Sequence, residues 1–220
     1  NLYNAFMIAA ILRYSEEKKI AITDTQAFLN LRINKLRVKG GNIWSGSYKI
    51  NLAGQDLNLD DIEHGLLRRQ DKRLTALAVK TLDPRIHMAV NCAAMSCPRL
   101  RLRAYFAHNL EQMLDENMRE FVNAGKQLFF KGEVLQLNKI LYWYYHDFDN
   151  DQRRAGDYLA NYLADRTTSK TLQQVLNKRS KIALRFDRKL SFFYDWKIND
   201  RRNFSHRSPV QGKQNQQSSQ

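Results

Sequence analysis

The sequence predicts an α+β fold, a mostly helical single domain with a small antiparallel sheet. Several long segments place apolar residues at helical spacing, whereas only a few short segments show the alternation and flanking turn residues of strands. The chain of 220 residues is 43% hydrophobic and 11% aromatic, which suits a globular protein rather than a disordered one. One domain with an ample core is therefore the expected organisation.

The first third of the chain predicts helices and a hairpin. Residues 2–14 are apolar nearly all round, so the helix that they predict should be buried. A second helical pattern covers residues 24–38. Tyr48–Leu57 predicts a hairpin, and Asn58 is a suitable N-cap for the helix that follows it.

The remainder of the chain predicts helices separated by short strands. Ile86–Cys92 alternates apolar and polar residues, as a strand does. The further elements are a helix Tyr105–Phe121, a strand Val134–Leu137, a helix Lys139–Phe148 capped by Asn138, helices at 155–164 and 169–178, and a terminal hairpin of Ile182–Phe186 with Leu190–Tyr194. We expect residues 1–200 to form the domain and the polar residues 201–220 to form a disordered tail.

The chain is strongly basic, with a formal net charge of +14. This excess favours anionic partners, although a solvated basic surface is the plainer interpretation, and no nucleic-acid-binding motif accompanies the charge. No apolar run approaches the ~20 residues that span a membrane, so we predict no transmembrane segment. The chain opens at Asn1 without Met or a basic leader, so we expect it to be N-terminally truncated and to lack any targeting segment.

Cys97 is the first candidate for chemistry. It lies in Ser96-Cys97-Pro98, which predicts the start of a helix because proline suits the first helical position. A helix N-terminus and the arginines nearby would favour the thiolate, which is the form that acts as a nucleophile. The alternative is a buried structural cysteine, the commoner fate of a free thiol.

His87 is a candidate general base for that thiol. It lies on the polar face of the predicted strand together with Arg85 and Asn91, and either Glu63 or Asn91 could hold its second ring nitrogen. A hydrogen-bonded structural histidine is the alternative. We predict that Arg85 and Asn91 bind substrate, as does Asn4, a polar exception on the first helix.

Glu63 and His64 are two further candidates for catalysis. Glu63 shares a face of its predicted helix with three apolar residues, and a carboxylate against a core must find a partner or take up a proton. Arg85 is one candidate partner. His64 stands four residues from both Asp60 and Arg68, so ordinary pairing along a helix would also explain it.

Two other interpretations of the cysteines stay open. Cys92, Cys97, His87 and His64 could ligate zinc, although the gap between the cysteines is wider than in a usual zinc knuckle. A disulfide between Cys92 and Cys97 would close a small loop, as exported proteins allow. We predict no metal and no cofactor.

Six segments resemble, in order, the DUF547 domain family, which is named only as a domain of unknown function. They are Asn1–Ala5, Leu59–Arg68, Asp83–His87, Cys92–Pro98, Asn138–Tyr144 with Asp147-Phe148, and Tyr194–Asn199. The chain departs from the family pattern at Ala93, where Gly is common, and at Arg99, where a second Pro is common. The resemblance implies a bacterial protein outside the cytoplasm, periplasmic or secreted, and it implies no settled activity.

The functional hypothesis is a cysteine-centred hydrolase or transferase. Cys97 would be the nucleophile and His87 the base, with Glu63 and His64 in support. In papain-like enzymes the cysteine precedes the histidine, whereas here the order is reversed, so the likeness to them is an analogy only. The substrate is not identified. The alternative is a non-catalytic binding or scaffold domain with a basic surface for anionic partners.

Overall fold

A computed structural model describes residues 1–149, 154–177 and 184–200. The predicted α+β class is confirmed, with helices and small sheets that are antiparallel except for one parallel pair. No helix among these residues is both long enough and apolar enough to cross a membrane. The predicted tail, 201–220, lies outside the described residues.

Helix α1, Leu2–Glu17, confirms the first predicted helix but buries only one side. Ile8 and Leu12 are 49% and 47% exposed, so the prediction of burial all round was wrong. The inner side packs in a hydrophobic cluster of the first half of the chain, which we call the N-terminal cluster; it includes Met7, Ile33, Leu59 and Cys97.

The predicted helix at 24–38 is mostly absent. Asp24 caps a short α2, Thr25–Leu29, by accepting a hydrogen bond from the backbone of Ala27 at 3.1 Å. Beyond α2 the backbone pairs with the end of the chain instead, because the N–H of Ile33 donates to the carbonyl of Trp196 at 2.9 Å. A 3₁₀ turn, Ile33–Lys35, and the antiparallel strands β1, Arg37–Val38, and β2, Gly41–Asn42, follow.

The predicted hairpin is confirmed as β3, Ile50–Leu52, paired antiparallel with β4, Gln55–Leu57. Ala53 and Gly54 both have positive φ, 50° and 80°, as a two-residue turn of type I′ requires. Asn58 and Asp61 then exchange side-chain to backbone hydrogen bonds of 2.8 and 2.9 Å, which start the next helix. This helix, Asp61–Leu67, is a π-helix, a form that is frequent at functional sites.

The predicted strand Ile86–Cys92 is wrong, because Pro84–Met88 forms a 3₁₀ helix. Asp83 caps it by accepting a hydrogen bond from the backbone of Arg85 at 2.9 Å, and Pro84 suits its first turn. The helix expected at Cys97 is also absent. The backbone there pairs with the end of the chain, as the N–H of Met95 donates to the carbonyl of Lys197 at 2.8 Å.

The second half of the chain builds a separate cluster, the C-terminal cluster, around Met118, Leu135, Leu137, Phe148 and Leu172. Its elements are α3 Leu110–Asn123, β5 Leu128–Lys131, β6 Val134–Asn138, α4 Lys139–Trp143, α5 Tyr145–Phe148, α6 Ala155–Ala160, α7 Arg166–Leu176 and β7 Leu190–Phe193.

Several elements in this half differ from the prediction, and α6 and α7 replace the helices expected at 155–164 and 169–178 with other boundaries. Helix α3 begins five residues later than expected, leaving Phe106 57% exposed, and the helix predicted at 139–148 is interrupted at Tyr144. The prediction of a terminal hairpin is wrong, because β7 pairs in parallel with β6. Residues 184 and 185 are helical, and residues 182–183 lie outside the described residues.

Candidate functional site

A cavity of about 200 Å³ opens where the two clusters meet. The three segments around residues 59–68, 83–87 and 92–98 converge on it, as five of its lining residues are Glu63, His64, His87, Cys92 and Cys97. The C-terminal cluster supplies Ile140, Trp143 and Tyr144, and the last described segment supplies Tyr194 and Trp196. The structure therefore gathers all four predicted catalytic residues around one space.

His87 has a fully buried side chain, which the 3₁₀ helix holds against the ring of Tyr144 at a centroid distance of 3.8 Å. Its Nε2 lies 2.7 Å from Oδ2 of Asp147, whereas Nδ1 has no hydrogen-bond partner within the described residues. The expectation that Glu63 or Asn91 holds the second nitrogen was wrong, because Asp147 holds it. Burial lowers the pKa of His87, although the bond to Asp147 opposes this, so the neutral ring is favoured.

Asp147 is locked between His87 and Arg68. The guanidinium donates from Nε and Nη2 to the carboxylate at 2.6 and 3.0 Å, a bidentate ion pair. Burial raises the pKa of Asp147, but the hydrogen bonds from His87 and Arg68 outweigh it and hold the pKa well below its usual range. An ionised carboxylate only accepts hydrogen bonds, so Nε2 of His87 carries the proton and Nδ1 presents a lone pair.

Glu63 is buried, as its position among apolar residues predicted, and it is 7% exposed. Its Oε1 accepts a hydrogen bond from the hydroxyl of Tyr144, the ring that stacks on His87. Burial and the charge of Glu63 raise the pKa of Tyr144 well above its usual range, so Tyr144 stays a donor. The pairing with Arg85 was wrong: Arg85 binds three other carboxylates, those of Asp83, Glu111 and Asp115.

His64 lies at the edge of the cavity with a side chain that is 40% exposed. Its Nδ1 is 3.1 Å from Nη1 of Arg68, and its Nε2 is 3.9 Å from Oδ1 of Asp60. Both contacts follow the four-residue spacing of the sequence. His64 therefore connects the rim of the cavity to the Arg68–Asp147 pair.

The two cysteines form a disulfide with Cα atoms 6.3 Å apart, and both line the cavity. The hydroxyl of Tyr194 lies 3.1 Å from Sγ of Cys92 and 3.2 Å from Sγ of Cys97. The backbone N–H of Cys92 also donates to Sγ of Cys97 at 3.0 Å. Since no helix begins at Cys97, these two donors replace the helix N-terminus that the sequence had suggested.

The three predicted substrate-binding residues do not line this cavity. Asn4 donates from Nδ2 to the carbonyl of Ala89 at 2.9 Å and accepts from the backbone of Asn91 at 2.8 Å. Asn91 donates to the carbonyl of Pro98 at 2.7 Å, and the guanidinium of Arg85 is held by its three carboxylates. These side chains support the loops that carry His87 and the cysteines, and substrate binding by them stays a prediction.

Sequence reasoning missed Asp147, Tyr144 and Tyr194 as site residues. Asp147 and Tyr194 each begin a stretch that resembles DUF547, so those motifs carried a signal that was not used. The sequence favours core packing for the aromatic residues around Tyr144, because consecutive aromatic residues on a helix usually pack in a core.

The zinc interpretation finds no support in the part of the chain that the structure describes. No group of three or more His, Cys, Asp or Glu side chains there is placed to hold a metal ion. In addition, the sulfurs are joined to each other, whereas a zinc ligand is a free thiolate.

The basic cluster beside Cys97 is largely paired with acidic residues of α3. Arg101 lies 2.8 Å and Arg99 3.9 Å from the carboxylate of Glu120, and Arg103 lies 3.5 Å from that of Glu116. Arg99 and Arg101 line an open groove of about 900 Å³ that Cys97 also borders. The acidic partners offset much of the positive charge that the sequence suggested for this surface.

A comparison with family models finds one whose description is "Protein of unknown function, DUF547", matching residues 1–122. This match includes four of the six resembling segments, and the two at 138–148 and 194–199 lie beyond it. No curated protein and no solved structure matches the chain.

Proposed function

The chain belongs to the DUF547 family, whose function is unknown, and from its site we propose that it is a cysteine-centred hydrolase or transferase. One observation carries the proposal: Cys97 and His87 line the same cavity, and Asp147 holds the far nitrogen of His87 at 2.7 Å. A nucleophile, a base and a carboxylate that orients the base are the parts of a catalytic triad. Such triads are recognised by geometry rather than by chain order.

Cys97 is the proposed nucleophile once it is reduced. The N–H of Cys92 and the hydroxyl of Tyr194, at 3.0 and 3.2 Å from its sulfur, are donors that stabilise a thiolate. Nδ1 of His87 takes the proton of the thiol, and the thiolate forms a bond to an electrophilic carbonyl carbon. The bond from that carbon to the leaving group breaks as His87 gives the proton to the leaving group. Water then hydrolyses the thioester in a hydrolase, or a second acceptor takes the acyl group in a transferase.

His87 is the proposed base through Nδ1, the nitrogen without a partner within the described residues. Asp147 orients the ring and stabilises the positive charge that it gains on accepting a proton. Glu63 and His64 act in support: Glu63 fixes the ring of Tyr144 against His87, and His64 contacts Arg68 beside Asp147. Arg68 is thus a positioning residue, since it holds the carboxylate that holds the base.

The disulfide makes this chemistry dependent on a reductant. Two thiol groups of a reductant open it by exchange, become oxidised to a disulfide themselves, and leave Cys97 and Cys92 as free thiols. We also propose a location outside the cytoplasm, because disulfides persist in oxidising compartments. In such a compartment Cys97 would stay in the disulfide, and the site would be inactive, until a thiol donor reduced it.

Alkylation tests the thiol directly. With the disulfide reduced by a phosphine at pH 7, iodoacetamide should label Cys97 at least about tenfold faster than Cys92, because thiolate character controls the rate. Mass spectrometry of the labelled peptides measures this. Hydrolysis of p-nitrophenyl acetate, a general acyl probe, should require the reductant and fall at least about 100-fold in Cys97→Ser, while Cys92→Ser keeps it.

The thermal stability of each variant, measured in the reduced state, serves as the control for folding. Equal, slow labelling of both cysteines would contradict an activated thiol. Ester hydrolysis that persists in Cys97→Ser would contradict its role as the nucleophile. In either case a non-catalytic binding domain becomes the better interpretation.

A further inference from the structure

Aromatic rings form a large part of the cavity lining. All three tryptophans of the chain line it, and three tyrosines join them: Trp44, Trp143, Trp196, Tyr3, Tyr144 and Tyr194. Trp196 lies at the centre of the group, with its ring 6.0 Å from Trp44, 5.4 Å from Trp143 and 4.4 Å from Tyr194. The three tryptophans are only partly buried, although they pack against the hydrophobic clusters, and each one lines the cavity.

The side chains that line the cavity carry negative charge, whereas the protein as a whole is positively charged. Two carboxylates, Glu63 and Asp60, line it, and no lysine or arginine does so among the described residues, although the chain holds 36 of these. The guanidinium of Arg68 contacts two lining residues, at 3.1 Å from Nδ1 of His64 and 4.9 Å from the Tyr144 ring centroid, and its charge is matched by Asp147. Such a lining repels anions and favours a cation.

A buried hydrogen-bond acceptor adds to this pattern. Nδ1 of His87 lacks a partner within the described residues, and Nε2 carries the proton because it faces the ionised Asp147. A buried polar atom without a partner destabilises the fold, so an unpartnered atom on a residue that lines a cavity points to a ligand or water that completes its hydrogen bonding. A donor group on a bound molecule would do so.

We propose that this cavity, the aromatic cage, binds an organic cation with a small alkylated ammonium group. The faces of tryptophan and tyrosine rings attract such a cation through their quadrupoles, and a nearby carboxylate neutralises its charge. A volume of about 200 Å³ suits a small ammonium head group rather than a large ligand. A bare metal ion does not fit, since the described residues hold no group of three or more His, Cys, Asp or Glu side chains placed to bind one.

Where it names a substrate class, this inference rests on the proposed function. The substrate would then be an acyl compound with a cationic group beside the scissile bond. As a binding site it does not rest on that function, because the rings and Glu63 act without any reaction at Cys97. The two can therefore be tested apart.

Calorimetry with choline as the probe tests the aromatic cage, and 3,3-dimethyl-1-butanol, its uncharged isostere, is the control ligand. The full chain should bind choline in a saturable manner and at least about tenfold more tightly than the alcohol. Trp44→Leu and Glu63→Gln should each weaken choline binding about tenfold, since one removes a ring face and the other the charge. Phe106→Leu and Glu133→Gln, both exposed and outside the cavity, should not change it.

Circular dichroism shows whether each variant is folded. If Glu63→Gln does not fold, Trp44→Leu still tests the aromatic cage, because Trp44 is only partly buried. Equal affinity for choline and the alcohol, or no saturable binding of choline, would overturn the proposal. Choline binding that survives in Cys97→Ser supports the cage whatever becomes of the catalytic proposal. Ester hydrolysis without choline binding would support the proposed enzyme and overturn the proposal that the aromatic cage binds a cation.

Discussion

His87 shows how burial at one residue makes stability depend on pH. Its pKa is lowered by burial, so the unfolded chain, with a histidine pKa of about 6.5, binds more protons than the folded chain below that pH. By linkage, the free energy of unfolding falls as the pH falls through about 6.5 towards the lowered pKa. Asp147, with a lowered pKa, contributes stability that is lost only below about pH 4, in a separate window.

Urea unfolding at pH 7.5, 6.5 and 5.5 measures this effect. We expect the free energy of unfolding to decrease towards pH 5.5 with a slope of at most about 1.4 kcal/mol per pH unit from this one group. His87→Gln should reduce the slope, whereas His146→Gln, at an exposed position, should retain it. An unchanged slope in His87→Gln would assign the pH dependence to other groups.

At the scale of elements, Asn138 joins three parts of the fold. Its Oδ1 accepts from the backbone of Ile140 at 2.9 Å and caps α4, as predicted. Its Nδ2 donates to the carbonyl of Ser96 at 2.8 Å and to Gln127 at 2.6 Å. This single side chain therefore anchors the loop of Cys97 to the strand and helix that carry Tyr144.

Asn138→Ala should lower the free energy of unfolding by about 2–4 kcal/mol. The lost cap accounts for about 1 kcal/mol, and the buried carbonyl of Ser96 left without a donor accounts for about 1–3 kcal/mol. Urea denaturation measures the change. Asp165→Ala, which removes the exposed cap of α7, is the matched control and should have a much smaller effect. A comparable loss in both variants would show that the bond to Ser96 contributes little.

At the scale of the whole molecule, the site depends on both halves of the chain. The part matched by the family model, 1–122, contains Cys97 and His87 but lacks Asp147, Tyr144 and Tyr194. Met88, directly after His87, packs in the C-terminal cluster. The backbone from 31 to 33 and at 95 also bonds to residues 196–198. The two halves should therefore fold as one unit.

Truncation tests this expectation. Residues 1–122 alone should show no cooperative thermal transition by circular dichroism, because their apolar face loses the C-terminal cluster. Residues 1–200 should unfold at the temperature of the full chain, since 201–220 are polar and are predicted to add no core. A cooperative transition of 1–122 would show an independent N-terminal domain. A lower melting temperature of 1–200 would assign the tail a structural role.

Local chemistry in the sequence determined the hairpin at 48–57, the caps at Asn58 and Asn138, and the burial of Glu63. Each of these depends on residues within about four positions, where turn geometry, capping and helical spacing act. The cysteine motif and His87 were also recognisable as candidates. They line one cavity, although the strand and helix expected to carry them were wrong.

Only the tertiary structure decided which groups meet. His87 binds Asp147 across 60 positions, Glu63 binds Tyr144 across 81, and Tyr194 reaches Cys92 across 102. The alternation of Ile86–Cys92 has the period of a strand, but Asp83, Pro84 and the packing of Met88 favour a 3₁₀ helix. Contacts between distant segments arise from packing two clusters together, and no local pattern of residues encodes that packing.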